Sequence, residues 1–206
     1  MKNSKGPTIS KQVKEQSEPY SEVNTDPSRA LIDEQYEIIN GLRYDLKPSP
    51  TVTHQVLVTK IFSALHNTCH SNGLLLVAPI DVYLDEKNTF QPDVIFITNE
   101  NLSIIQDDKV SGAPDLVVEI LSPSTGKRDK TTKKENYAYF GVKEYWIVDP
   151  IHQTIDQFLL NNQTYDLHAT LIPGDTMKSP LFSCINIDLD PLFQDLLSIE
   201  TKQDCN

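Results

Sequence analysis

The sequence predicts an α/β fold in which a mixed central sheet is flanked by helices, with additional antiparallel hairpins. Three observations support this prediction. Residues 115–121 (DLVVEIL) are largely apolar on both faces when read with period two, as in a central parallel strand. Residues 129–140 follow a helical pattern that ends at Gly141, and residues 144–149 (EYWIVD) return to a strand pattern. A strand, a helix and a strand in this order are typical of a parallel crossover unit.

The segments on either side of this unit predict the remaining elements. Asn40-Gly41 lies between two short apolar-rich runs and indicates a β-hairpin over residues 36–46. Apolar residues at positions 57, 58, 61, 62 and 65 predict a helix that ends at Asn72-Gly73. The further predicted elements are strands at residues 74–80, 81–84, 91–97, 154–160, 163–171 and 182–189, a connecting stretch at 99–109, and short helices at 26–35 and 190–197.

The length and composition suit one domain with polar tails. The chain has 206 residues, 38% of them hydrophobic, and a mean hydropathy of −0.36. We expect a disordered polar tail over residues 1–26, a single domain over 27–199 and a C-terminal tail over 200–206. The N-terminal segment lacks the apolar core of a signal peptide, and no apolar run approaches the roughly 20 residues of a membrane span. A cytoplasmic location is therefore expected.

The cysteines point to the same compartment. Cys69, Cys184 and Cys205 are odd in number, widely spaced and without a CxxC pair. This pattern favours neither a disulfide framework nor a structural zinc site. Three reduced thiols are expected.

The charge of the chain is unevenly distributed. The net charge of −11 argues against a general nucleic-acid coat protein, which needs a positive surface. Residues 127–134 (KRDKTTKK) nevertheless hold five basic residues and one acid. This segment is either a solvated helix face or a local patch that contacts phosphates.

Two acidic residues in apolar strands are candidate metal ligands. Glu119 lies within a run that is apolar on both faces, and a buried carboxylate needs either a cation or a shifted pKa. We favour a functional site over a structural salt bridge, because buried glutamate is uncommon. Asp93 follows Pro92 at the start of another apolar strand, where it either binds backbone amides or serves as a second oxygen ligand. Magnesium typically takes one or two carboxylates and leaves its other positions to water and phosphate.

The helix after the Glu119 strand supplies a candidate cation. At 100° per residue, Lys133 falls between Tyr137 and Phe140, at the middle of the inward face. It therefore points toward the sheet that carries Glu119, unless its stem extends and returns the ammonium group to solvent. Asp129 precedes Lys133 by four residues, but a helical pair of this kind contributes only about 0.2–0.5 kcal/mol.

Two further residues have an open interpretation at this point. Glu37, in the first hairpin, is either a surface strand residue or a member of the same cluster. His54 stands at the start of a predicted helix, where histidine is more often a polar cap-region residue than a catalyst.

Several of these segments carry a resemblance to a known family. In order along the chain they are YEIINGL, SPTVTH, PDVIFI, DLVVEILSPST, a D-x-x-x-K-x-x-x-Y pattern that begins at Asp129, and GVKEYWIVDP. Together they resemble the Uma-two family of endonucleases, which belongs to the PD-(D/E)XK nuclease-like superfamily. The resemblance covers roughly residues 30–190. The EILSPST and GVKEYWIVDP segments are specific to it, whereas the Pro-Asp pair alone is not.

The resemblance implies a restriction-endonuclease-like fold and a magnesium- or manganese-dependent phosphodiesterase site. Homodimers are common in the family. The general superfamily pattern has a lysine two residues after the second acid, where this chain has Leu121, and the family places a lysine on the following helix instead. Asp93 and Glu119 match the metal ligands, Glu37 matches an acid of the first strand pair, and Lys133 matches the helix lysine, with Asp129 and Tyr137 alongside it.

The function expected from the sequence is hydrolysis of DNA phosphodiester bonds by a magnesium-dependent endonuclease. The expected catalytic residues are Asp93, Glu119, Lys133 and Glu37, the expected DNA contacts are Lys127, Arg128, Lys130 and Lys134, and the supporting residues are His54, Asp129 and Tyr137. One alternative is a catalytically inactive nuclease-fold dimer with a binding or regulatory role. The other is a hydrolase of a small phosphate substrate, which suits the acidic surface better.

Overall fold

The computed structural model of the chain describes residues 18–19, 35–46, 49–194 and 196. The helices are α1 (Val52–Cys69), α2 (Gly126–Arg128), α3 (Lys134–Phe140) and α4 (Asp190–Phe193), with a 3-10 segment at Asn99–Ile104 and a π segment at Asp129–Lys133. The strands are β1 (Glu18–Pro19), β2 (Tyr36–Ile39), β3 (Leu42–Asp45), β4 (Gly73–Val77), β5 (Val82–Asp85), β6 (Asn88–Phe90), β7 (Val94–Thr98), β8 (Ile105–Gln106), β9 (Lys109–Ser111), β10 (Leu116–Ile120), β11 (Glu144–Asp149), β12 (Thr154–Asn161), β13 (Thr164–Leu171), β14 (Thr176–Lys178) and β15 (Asn186–Asp188).

Two mixed sheets confirm the predicted fold class. The central sheet has six strands in the order β13-β12-β11-β10-β7-β4. In it β10 pairs in parallel with β11 and antiparallel with β7, so the predicted crossover unit is present. A second sheet has the order β1-β3-β2-β6-β5-β9-β8, and β14 pairs with β15.

Apolar side chains cover both faces of the central strand β10, as its period-two pattern predicts. Leu116, Val118 and Ile120 pack into the core that includes α1, whereas Val117 packs with Tyr137 in the core on the opposite side. All five residues of β10 are buried. Glu119 shares the Val117 side because side chains alternate along a strand, and it thereby faces the helix that follows β10.

The first hairpin and α1 form where local sequence signals predict them. Asn40 and Gly41 have φ angles of 54° and 75° in the turn between β2 and β3, which is the left-handed geometry that Asn-Gly favours. Thr51 caps α1, since its Oγ1 accepts a hydrogen bond from the backbone N–H of His54 at 3.2 Å. The helix consequently begins at Val52.

Several short elements differ from the prediction. The helix predicted from Asp129 begins three residues earlier, at Gly126, and contains a π segment. The connecting stretch at 99–109 contains the 3-10 segment and β8. Strands β9 and β14 were not predicted. Elements of two or three residues are too short to show a period. The predicted strand over 182–189 is reduced to β15. In the predicted helix over 190–197, α4 covers Asp190–Phe193 and Leu196 is also helical, while residues 195 and 197 lie outside the described part of the chain.

The expectation of three reduced thiols is wrong. Cys69, at the end of α1, and Cys184, before β15, form a disulfide across a sequence separation of 115 residues. Tertiary packing brings the two sulfurs together, because α1 and β15 both contribute to the same core. Widely spaced cysteines carry no local signal of such a pair.

The chain ends are described only in part. Glu18–Pro19 lie within the predicted 1–26 tail and pair with β3 as strand β1. The rest of that tail, residues 26–34 of the helix predicted over 26–35 and the 200–206 tail lie outside the described residues, and residue 35 is not helical. None of the helices in the described part of the chain has the length and apolar character needed to cross a membrane.

Candidate active site

Glu119 is buried inside β10, where it is 3% exposed. Its Oε1 accepts a hydrogen bond from the Tyr137 hydroxyl at 2.8 Å and lies 2.7 Å from Nζ of Lys133. Burial raises the pKa of Glu119 well above its ordinary value, and the attraction of Lys133 opposes this shift only in part. A further cation near this carboxyl group would therefore favour its ionised form.

Lys133 is the cation at the centre of the site. Its Nζ lies 2.8 Å from Oε1 of Glu37, 2.7 Å from Oε1 of Glu119 and 3.4 Å from Oδ1 of Asp129. Burial alone would lower the pKa of Lys133, but the three carboxylates outweigh it and raise the pKa well above its ordinary value. Lys133 is thus a permanent positive charge at physiological pH.

The predicted inward orientation of Lys133 is confirmed, although the helix around it is not regular. Residues Asp129–Lys133 form a π segment between α2 and α3. Such π segments are rare in proteins, and those that do occur often lie at functional sites. The segment places both Asp129 and Lys133 in the protein interior.

Glu37 reaches the site from the first hairpin, so its predicted alternative as a surface residue is wrong. It lies on β2 and is completely buried. Besides the contact with Lys133, its Oε1 accepts a hydrogen bond from the backbone N–H of Gln91 at 3.1 Å. Its Oε2 lies 3.7 Å from a guanidinium nitrogen of Arg128. β2 belongs to the second sheet and Glu119 to the central one, so the site lies where the two sheets meet.

Asp93 stands at the more open side of the site, with 15% of its side chain exposed. Its Oδ2 accepts a hydrogen bond from the backbone N–H of Ile120 at 2.7 Å and lies 3.2 Å from Nε2 of His54. Burial lowers the pKa of His54, but the hydrogen bond and attraction to Asp93 outweigh this effect, so the pKa is raised overall. Because Ile120 directly follows Glu119, its hydrogen bond ties Asp93 to the strand that carries Glu119.

We call Glu37, Asp93, Glu119 and Asp129 the carboxylate cluster. Among the described residues, no donor makes a hydrogen bond of normal geometry to Oε2 of Glu37 or to either carboxylate oxygen of Asp129. Burial raises the pKa of Asp129, while Lys133 opposes the shift. Buried acceptors normally have partners, so these oxygens are exceptions that need a reason.

The carboxylate cluster fits a magnesium ion. When ionised, three of its carboxylates face two permanent cations, Lys133 and Arg128, which leaves an excess of one negative charge. Carboxylate oxygens are the ligands that magnesium prefers. Within the described part of the chain, no three or more His, Cys, Asp or Glu side chains form a ready metal site. A ligand set of two carboxylates, completed by water and phosphate, agrees with both observations.

The four predicted DNA contacts occupy different environments. Lys127 is exposed, and Lys130 is 52% exposed with its Nζ 3.9 Å from Oδ2 of Asp149. Nζ of Lys134 lies 3.6 Å from the centre of the Phe158 ring, and burial lowers the pKa of Lys134. Arg128 differs most from the prediction.

The Arg128 side chain is buried and belongs to the site instead of the outer surface. Its guanidinium carbon lies 4.2 Å from the centre of the Tyr44 ring, and the group also faces Glu37. A basic run in the sequence cannot distinguish a lysine that faces solvent from an arginine that turns inward.

Sequence reasoning also missed Tyr145. Its hydroxyl donates to the backbone carbonyl of Asp129 at 3.1 Å, and its ring packs against Tyr137. The signal was present in the parallel pairing of β10 with β11, which sets Tyr145 opposite Val117 and two positions from the partner of Glu119. The register had to be known before that signal could be used.

A shallow groove of about 390 Å³ lies along the outer face of α1, lined by residues from Pro50 to Lys60. None of the cluster residues lines this groove. Its location therefore adds nothing to the chemistry of the carboxylate cluster.

Known proteins resemble the chain in sequence and in fold. Residues 28–190 match a family model described as "Uma2: Putative restriction endonuclease". The crystal structure of a putative nuclease belonging to DUF820, from Anabaena variabilis ATCC 29413, has 19% sequence identity and a TM-score of 0.64, over 78% of this chain and 90% of that chain. The type IIG restriction endonuclease BpuSI has 14% identity and a TM-score of 0.40, over 74% of this chain and 17% of that chain. No curated protein matches the chain.

The matched region contains every member of the carboxylate cluster together with Lys133. The Anabaena structure shares the fold of this chain along most of both lengths. Because the family model spans well over half of the sequence, the chain belongs to the Uma2 (Uma-two) family of putative restriction endonucleases.

Proposed function

We propose that this protein is a magnesium-dependent endonuclease that hydrolyses the phosphodiester bonds of DNA. The observation that carries the proposal is the contact of Lys133 with Glu119 and Glu37 in a buried site beside Asp93. Membership of a restriction endonuclease family supports nuclease chemistry. A positive charge and a divalent-ion site close together suit the charge that develops on a phosphate during hydrolysis.

Asp93 and Glu119 are the residues that would hold magnesium or manganese. Asp93 contacts the backbone next to Glu119, so both carboxylates belong to one small region. The metal, when bound, would polarise a phosphate oxygen and lower the pKa of a bound water. Burial raises the pKa of Glu119, so a bound cation would favour the ionised form of this carboxyl group.

Lys133 would act as a fixed positive charge. Its raised pKa keeps the ammonium group protonated, so it does not remove a proton from water near neutral pH. Instead it would donate hydrogen bonds to a phosphate oxygen or orient the attacking water. Glu37 and Asp129 would hold Lys133 in position, because both face its Nζ.

Lys127 and Lys130 are the exposed basic residues best placed to contact DNA phosphates beside the site. Such contacts position a strand and do not read base sequence. Lys134 is a weaker candidate because it lies over the Phe158 ring. Arg128, stacked on Tyr44, would act within the site and not on a flanking phosphate. A homodimer and a cytoplasmic location remain predictions.

The second candidate is a catalytically inactive nuclease-fold protein with a binding or regulatory role. The burial of Lys133, whose side chain is 3% exposed, favours this alternative. An ammonium group that three carboxylates contact must separate from them, at least in part, before it can reach a phosphate. A third candidate, hydrolysis of a small phosphate ester, follows from the acidic net charge of −11.

A cleavage assay tests the proposal. Supercoiled plasmid is incubated with the wild type and with Glu119→Gln across a titration of magnesium or manganese. We expect metal-dependent nicking or linearisation by the wild type, and at least about a hundredfold loss in the variant, as for removal of a key electrostatic group. Glu135→Gln, an exposed site on α3, is the matched control and should cleave like the wild type.

The outcomes separate the three candidates. Equal cleavage by the wild type and Glu119→Gln, or cleavage without metal, contradicts the proposed site. Metal-dependent binding of DNA without cleavage supports the inactive alternative. Hydrolysis of bis(p-nitrophenyl) phosphate, with intact plasmid, supports a small phosphate substrate.

A further inference from the structure

The two carboxylate oxygens of Asp93 have different surroundings. Oδ2 accepts the hydrogen bond from the backbone N–H of Ile120 at 2.7 Å and also contacts Nε2 of His54 at 3.2 Å. Among the residues that the structure describes, none donates a hydrogen bond to Oδ1. One oxygen is therefore held from two directions, while the other remains available to a ligand.

His54 is itself held firmly. Its backbone N–H donates to Oγ1 of Thr51, which fixes the third residue of α1 against the helix cap. Its side chain is buried, and no hydrogen-bond partner of its Nδ1 occurs among the described residues. Because an ionised carboxylate has no proton to donate, Nε2 must carry the hydrogen of the bond to Asp93. The position of His54 and the hydrogen on its Nε2 both support the contact with Asp93.

We infer that His54 is a positioning residue that orients Asp93 for metal binding. The Ile120 contact ties Asp93 to the Glu119 strand, but a single hydrogen bond leaves the carboxylate free to turn about it. The second contact, from α1 on another side, restricts that rotation and keeps Oδ1 available for the cation. This inference rests on the proposed function, in which Asp93 and Glu119 bind the metal.

The elements involved explain why this assignment requires the tertiary structure. His54 lies 39 residues before Asp93 in sequence, on a helix that packs against the central sheet. A histidine that merely capped α1 would need no contact with a carboxylate of the site. Loss of a residue that hydrogen-bonds to a metal ligand typically weakens metal affinity about ten- to hundredfold.

Metal affinity of the full-length protein without DNA tests the inference. The free Mn²⁺ signal is followed by electron paramagnetic resonance during titration of the wild type, His54→Leu and His54→Gln. Leucine removes the donor, and we expect about ten- to hundredfold weaker Mn²⁺ binding. Glutamine places an amide N–H near the position of Nε2, so His54→Gln should retain most of the affinity. His66→Gln, an exposed histidine of the same helix, is the matched control and should bind like the wild type.

Thermal melts accompany the titrations. Should His54→Leu fail to fold, His54→Asn replaces it, since its shorter amide cannot reach Asp93 and should show the same weakened binding. Mn²⁺ binding by folded His54→Leu or His54→Asn at the wild-type affinity overturns the inference and leaves the proposed function intact. Folded His54→Gln that binds as weakly as His54→Leu also overturns it, because the donor would then be irrelevant. Absence of Mn²⁺ binding by the wild type overturns both.

Discussion

Two buried glutamates on neighbouring strands differ in the kind of partner that each one has. Glu119 lies on β10 and Glu144 on the adjacent, parallel β11. Both are almost completely inaccessible to solvent. Burial alone therefore does not identify a functional carboxylate in this protein.

Neutral donors satisfy Glu144. Its Oε1 accepts hydrogen bonds from Nε1 of Trp146 at 2.6 Å and from Nε2 of Gln157 at 2.7 Å, and its Oε2 accepts one from the Ser179 hydroxyl. A buried carboxylate with several good donors stabilises the packing of the strands that supply them. Glu144 links β11, β12 and the segment after β14 in this way.

Glu119 instead shares one lysine with two other carboxylates. Lys133 contacts Glu119, Glu37 and Asp129, and no described donor makes a hydrogen bond of normal geometry to either oxygen of Asp129. When ionised, these three carboxylates carry more negative charge than Lys133 and Arg128 balance. The difference between the two glutamates shows that unsatisfied charge, and not burial, marks the candidate site.

Replacement of Lys133 by methionine should have the largest effect. Removing the shared cation leaves buried carboxylates facing one another, so the free energy of unfolding should fall by about 3–5 kcal/mol. Urea denaturation at neutral pH measures this change. The matched variant is Lys143→Met, because Lys143 contacts another buried carboxylate, Asp115, at 2.6 Å but is 57% exposed.

Lys143→Met should lower stability by only about 0–1 kcal/mol, since solvent screens that pair and Asp115 keeps donors from Thr98 and Asn101. Equal effects of the two substitutions would remove the distinction between a shared buried cation and an ordinary ion pair.

Paired glutamine variants should separate function from stability. In Glu144→Gln the new amide N–H₂ meets groups that already donate hydrogen bonds, so stability should fall by about 1–3 kcal/mol while metal-dependent cleavage remains. In Glu119→Gln the amide oxygen can still accept from Tyr137 and Lys133, so stability should change less while cleavage is lost. Denaturation curves and plasmid cleavage are measured on both proteins. The reverse pattern would make Glu144 the functional carboxylate.

The pH dependence of stability should also differ between the carboxylate cluster and the Asp115–Lys143 ion pair. The pKa values of Glu119 and Asp129 are raised in the folded protein. Each group contributes stability that is complete below the unfolded carboxyl pKa of about 4 and is lost as pH rises through the folded pKa. The metal-free protein should therefore melt at a higher temperature near pH 5 than near pH 8. Mn²⁺ should raise the melting temperature more at pH 8, where protons no longer compete with it for the carboxylates.

Asp115 acts in the opposite direction at lower pH. Burial raises its pKa, but the contacts with Lys143 and Thr98 outweigh burial and lower the pKa overall. The stability that it contributes is present above the unfolded carboxyl pKa and is lost as pH falls through its lower folded pKa. Melting temperatures measured from pH 3 to pH 8 should therefore fall at the acidic end, because of Asp115, and again toward pH 8, because of Glu119 and Asp129. A melting temperature that rises steadily from pH 5 to pH 8 without metal would contradict the assigned shifts of Glu119 and Asp129.

Removal of one hydroxyl from the site should give the smallest effect. Tyr137→Phe deletes one donor to Glu119 but leaves Lys133 in contact with the same oxygen, so the free energy of unfolding should fall by about 1 kcal/mol. Tyr165→Phe, whose hydroxyl donates to the carbonyl of Val142 at 2.7 Å, should cost a similar amount. Only Tyr137→Phe should alter the pH dependence of melting. The same pH profile in both variants would count against a special role for the Glu119 contact.

Much of the fold and part of the site could be predicted from local patterns. The hairpin turn, α1 and the parallel pair β10–β11 follow from Asn-Gly chemistry, helical spacing and strand alternation. The same spacing predicts the inward side of Lys133, and the π segment does not reverse it. Short strands such as β8 and β14 could not be predicted, because two or three residues contain too little of a period.

The sequence by itself determined which residue types could form a charged site: a carboxylate in an apolar strand and a lysine on the inner side of the next helix. Only the tertiary structure decided which distant groups join them. Glu37 arrives from a separate sheet, Arg128 turns inward from a basic run, and Cys69 meets Cys184 across the core. The physical reason is that helix and strand periods fix the direction of a side chain locally, whereas its distance from a remote residue depends on how sheets and helices pack.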